Sequence, residues 1–65
     1  MEYYINRVFY NPRIFRISYI GGVPRVECYV NKVWASDTVW KISDIRNPHY
    51  GFESIDESDV FLELL

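Results

Sequence analysis

A chain of 65 residues with net charge −2, twelve aromatic side chains and one cysteine is bounded to one small β-rich domain, residues 1–65, near the lower size at which a chain folds by itself. The single Cys28 excludes an internal disulfide and a four-cysteine zinc site. No apolar run approaches the length of a bilayer span, and no charged leader precedes an apolar stretch at the N-terminus. The chain therefore reads as a soluble, complete, cytoplasmic protein without membrane association, whose main stabilising resource is aromatic area, roughly 150–250 Å² per ring.

Residues 2–10 are rich in aromatic and β-branched types, hold no Gly or Pro, and read as a first strand. Asn11-Pro12 ends it, Asn suiting the first position of a type I turn and Pro the second. Residues 13–20 resume the strand composition, and Gly21-Gly22-Val23-Pro24 is a second turn signal. A third strand is expected over residues 25–34, with Val26, Cys28 and Val30 alternating against Arg25, Glu27 and Tyr29. A polar break, Ala35-Ser36-Asp37-Thr38, separates it from a short fourth strand, Val39 to Ile42, and Asn47-Pro48-His49-Tyr50-Gly51 forms a loop. In the tail, Ser54 and Glu57 fit a capping box, and Val60, Phe61, Leu64 and Leu65 would form the apolar stripe of a short helix. A strand over Val60–Leu64 is the alternative for so short a run.

If both hairpin loops hold an even number of residues, even positions of the first strand share a face with odd positions of the second and even positions of the third. Tyr4, Val8, Tyr10, Phe15, Ile17, Tyr19, Val26, Cys28 and Val30 then form a core face. The opposite face interleaves Tyr3, Ile5, Phe9, Ile14, Ile20 and Tyr29 with Arg7, Arg16, Arg25, Ser18 and Glu27. The expected fold is mainly β: a small antiparallel meander or half-open barrel of four or five strands, with a short C-terminal helix or strand packed on it.

Charge divides along the chain. Residues 1–46 hold all seven Lys and Arg against Glu2, Glu27, Asp37 and Asp44, a balance of about +3, whereas residues 47–65 hold five acidic residues and no basic one, about −5. The acidic tail, with its apolar side, suits the Arg-bearing mixed face, and its simplest role is to complete the domain.

Catalysis has little support. Cys28 falls mid-strand on the core side, where a thiol is inert. The lone His49 lies in a loop, and Asp56, Glu57 and Asp59 crowd together without an environment to separate their pKa values. The spacing of a calcium loop and a Gly-rich phosphate cradle are both missing. The residues imply no enzyme, no cofactor and no metal site. The mixed face points to a non-catalytic protein-binding or regulatory module, inhibitory factors included, that self-associates as a homodimer or takes a protein partner. Trp, Tyr and Arg are the types enriched at interface cores, and the contact residues expected are Arg7, Phe9, Arg16, Arg25, Tyr29 and Trp34. Sheet edges offer a second route to the same end, and the acidic tail running into Phe61-Leu62-Glu63-Leu64-Leu65 a third. The alternative is a small β-sheet nucleic-acid-binding protein, in which Arg7, Arg13, Arg16 and Arg25 meet phosphates while Tyr3, Phe9 or Tyr29 stack on bases. The acidic balance of the chain weighs against it.

Overall fold

A computed structural model describes residues 1–8 and 12–64. The chain is mainly β, with five antiparallel strands in one sheet and a short C-terminal helix. The strands are β1 (Glu2–Asn6), β2 (Arg13–Ile20), β3 (Val23–Val30), β4 (Val33–Ser36) and β5 (Phe52–Ile55), and their order across the sheet is β4-β3-β2-β1-β5. Two short helices, α1 (Ile42–Ile45) and α2 (Glu57–Glu63), lie in the connection from β4 to β5 and at the C-terminus.

The registers realise the parity argument. Tyr4 pairs with Phe15, Phe15 with Cys28 and Cys28 with Ala35, which places these residues on one face. Even loop lengths cause this: the β2–β3 turn is the pair Gly21-Gly22, both at positive φ, where a missing Cβ removes the steric penalty. The face so formed packs against α1. Phe15, Ile17, Val26, Cys28 and Phe52 are buried with Ile45, and Tyr4, Trp40 and Ile42 close the margin. Phe15 and Trp40 both meet Phe52 edge-on, at centroid distances of 5.2 and 5.1 Å.

The other face packs against α2. Ile5 and Ile14 are buried beneath Val60, with Tyr3, Tyr29, Trp34 and Ile55 packed around them. The helix starts after Asp56, an extended residue at the N-cap, and Glu57 and Asp59 sit in the first turn, where the helix dipole favours negative charge. Ser54 is not the cap; it belongs to β5, opposite Tyr4. The apolar stripe is narrower than expected, because Val60 is buried whereas Phe61 is 65% exposed. Leu65, the last member of that stripe, lies outside the described residues.

Three boundaries differ from the sequence reading. The first strand ends at Asn6, so Val8 is an exposed residue rather than a core one; Phe9, Tyr10 and Asn11 lie outside the described residues. Buried Asn6 terminates β1 by bonding outward, its Oδ1 accepting from Val8 N–H at 2.9 Å and its Nδ2 donating to the Tyr50 carbonyl at 3.2 Å. The expected strand over residues 25–34 is broken by Asn31-Lys32, both at positive φ, which form a tight turn from β3 into β4. Asn tolerates that conformation, and a turn with both residues left-handed matches the twist of the flanking strands. β4 thus occupies Val33–Ser36, the last two residues of the expected third strand and the first two of the expected break. The fourth strand expected over Val39–Ile42 does not form. Trp40 instead turns onto Phe52 and Tyr50, and Lys41 N–H donates to Asp44 Oδ2 at 3.1 Å to open α1. Tyr19 and Val30, assigned to the core by parity, keep the right face but lie beyond the cover of α1 and are exposed.

Candidate functional site

Beyond the area sealed by Val60, the α2 face continues as an aromatic and charged strip. Trp34 on β4 leans across it, with its ring 5.2 Å from Tyr29 and 6.1 Å from Tyr3. The Arg16 guanidinium lies over the Trp34 ring at 4.3 Å and donates from Nε to Glu27 Oε1 at 2.8 Å. Ser18 Oγ donates to the same oxygen at 2.8 Å. These bonds hold the Glu27 carboxyl below its ordinary pKa, the Arg16 contact contributing most and Ser18 next. The cross-strand pairing is Arg16 with Glu27 and Ser18 with Arg25, so Glu27 sits between the two arginines. Ile20 and Val23, paired at the end of the hairpin, extend the strip with apolar side chains that are 57% and 60% exposed.

Of the residues singled out from sequence, Arg16, Arg25, Tyr29 and Trp34 fall together on this strip. Arg7 stands apart. It has left the sheet and bridges the acidic tail, Nη2 donating to Glu63 Oε1 at 2.9 Å while Nε stands 3.7 Å from Glu53. This one side chain realises the attraction between the basic and acidic halves. Phe9 is outside the described residues. Sequence reasoning placed Ile20 on this face without counting it among the contact residues; it missed Val23, which it gave to the second turn and which begins β3, and it missed the edge position of Trp34, which depends on the unrecognised Asn31-Lys32 turn.

The basic side chains do not form a continuous track. Arg7, Arg16 and Arg46 each contact a carboxylate, and Arg13, paired with Asn6, alternates to the same face of β2 as Phe15 and Ile17. On that face, Arg46 donates to Glu2, which also accepts from Tyr4 Oη at 2.6 Å. The Arg46 bond, then the Tyr4 bond, lowers the Glu2 pKa.

Groups with reactive potential are scattered. Cys28 is buried, and burial raises its thiol pKa, which suppresses the thiolate. His49 is exposed in the turn Pro48–Tyr50, where its backbone N–H donates to Asn47 Oδ1 at 3.0 Å. A cavity of about 190 Å³ between the end of α2 and the sheet is lined by Ile5, Pro12, Ile14, Tyr29, Glu63 and Leu64, below the usual size of a small-molecule site, roughly 300–1,000 Å³. Among the described residues, no group of three or more His, Cys, Asp or Glu side chains could hold a metal ion, and no helix is long and apolar enough to cross a membrane. Comparison with known protein families, with curated proteins and with solved structures found no match.

Proposed function

We propose that this chain is a non-catalytic protein-binding module, regulatory or inhibitory in kind, that works through the strip of Arg16, Arg25, Tyr29 and Trp34 and the adjoining β4 edge. The observation that carries this reading is the position of Trp34. It is only half-buried after α2 has covered Ile5 and Ile14, and it stands on a strand with no described neighbour on its outer side. Trp, Tyr and Arg dominate binding hot spots. Here Glu27 and the Trp34 ring already hold Arg16 in place, so less side-chain entropy is lost on binding. The lone thiol of Cys28 suits a reducing cytoplasmic setting.

Capture of partners by the immobilised protein from a native lysate tests the reading. Arg25→Glu and Trp34→Ala should each weaken capture by about tenfold or more, while Leu62→Ala, on the exposed side of α2, should leave it intact. Circular dichroism on the same samples verifies the fold. Equal capture by folded Arg25→Glu and by the wild type would reject this surface.

A further inference from the structure

The outer edge of β4 carries hydrogen-bonding groups whose direction is fixed by the ladder. Val30 and Val33 close a two-residue turn, and Asp37 N–H donates to the Val26 carbonyl at 2.9 Å. In an antiparallel ladder the backbone groups of successive residues point alternately toward the partner strand and away from it. Those of Val33, Ala35 and Asp37 therefore face β3, and those of Trp34 and Ser36 face outward. Exposed edges are normally guarded by charged side chains, Pro or bulges. β4 reads Val-Trp-Ala-Ser and has none of these within the strand. The opposite edge is different: β5 carries Glu53, ion-paired with Arg7, and runs directly into α2.

We infer that the β4 edge is completed by the β4 edge of a second copy of this chain, the two strands running antiparallel about a twofold axis at Ala35. This rests on the protein-binding reading above and names the partner. A centre at Ala35 sets Trp34 opposite Ser36 of the partner subunit and Ser36 opposite the partner's Trp34, so every outward N–H and C=O is paired. A centre at Trp34 or at Ser36 would run the strand into the Asn31-Lys32 turn or the bend after Asp37 and leave half of those groups unpaired.

Side chains agree with the register. On the α2 face the indole meets a small serine, which leaves it room, and on the α1 face two alanines meet at the axis, flanked by Val33, which is 58% exposed in one copy. At each end of the pairing the register sets Val33 opposite the partner's Asp37, with Lys32 one position beyond in the Asn31-Lys32 turn. These opposite charges stand at the two ends of β4, and among the described residues neither forms an ion pair within its own chain. The isologous contact extends the five-stranded sheet through both subunits. It is small, so the dimer is weak and concentration-dependent.

Sedimentation equilibrium from micromolar to millimolar protein tests this. The wild type should rise from 7.8 kDa toward twice that mass. Ala35→Lys and Ala35→Glu, substitutions at an exposed position, should each remain monomeric because like charges would face each other across the axis. An equimolar mixture of the two should recover the dimer as a heterodimer. A wild type that stays monomeric throughout, single variants that dimerise as it does, or a mixture that fails to recover the dimer would each overturn the inference. If lysate capture still depends on Arg25 and Trp34 while the wild type is monomeric, the binding reading stands with a different partner. If both fail, the reading falls with it.

Discussion

On the α1 face, Phe15, Ile17, Val26, Cys28 and Phe52 are buried under Ile45 and closed at the rim by Trp40; on the α2 face, Val60 is the one helix residue buried against Ile5 and Ile14, and Trp34, Tyr29 and Arg16 continue past it. Both faces belong to the same strands and carry comparable apolar side chains, so the difference lies in the cover. One face is a finished core that stabilises the domain. The other has a stabilising half and a half whose aromatic and charged groups are organised yet accessible, the arrangement expected of a surface that binds.

Mutation should separate the halves, with the largest effect on the finished face. Phe15→Ala removes the side chain at the centre of the α1 core and should cost about 3–5 kcal/mol by urea denaturation, enough to unfold most of a domain this small. A loss below about 1 kcal/mol would mean that the face is not the core. Val60→Ala should cost less, about 2 kcal/mol. Its effect should be local, with amide exchange accelerated in α2 and in Ile5 and Ile14 while Phe15 and Ile17 keep their protection.

The third prediction concerns pH. Glu27 and Glu2 have pKa values lowered in the folded chain by Arg16 and Arg46. Each therefore contributes stability that is fully present above the ordinary carboxylate pKa and is lost as pH falls through the depressed folded value. Acid should destabilise the protein in that window. Glu27→Gln should flatten the decline and lower stability at neutral pH by roughly 0.5–1 kcal/mol, and Trp34 fluorescence should report release of the Arg16 stack. The smallest effect should come from Arg7→Ala, because its ion pairs with Glu53 and Glu63 are solvent-exposed. That variant should match the wild type in high salt, where such pairs are screened.

The parity of β1, β2 and β3 was legible because apolar alternation and even loops constrain every residue at once, and it placed Arg16, Arg25 and Tyr29 together; Trp34 joins them only through the turn from β3 into β4. The Asn31-Lys32 turn was not legible. Lys is an uncommon residue at positive φ, and the valines on both sides of the turn continue the strand pattern without a break. Missing it shifted β4 by several residues and hid the edge. β5 was also weakly written, since Phe52-Glu53-Ser54-Ile55 is short and its partner, β1, lies at the far end of the chain, a pairing that tertiary contact selects rather than local propensity. The narrowing of the α2 stripe to Val60 likewise depends on how the helix docks.

Amide hydrogen exchange along β4, read residue by residue by NMR at increasing protein concentration, tests the central claim most directly. The Val33 and Ala35 amides, bonded to β3, should be protected at every concentration, while those of Trp34 and Ser36 should exchange freely in dilute solution and become protected as the protein is concentrated. Rates at Trp34 and Ser36 that do not change from micromolar to millimolar protein would contradict it.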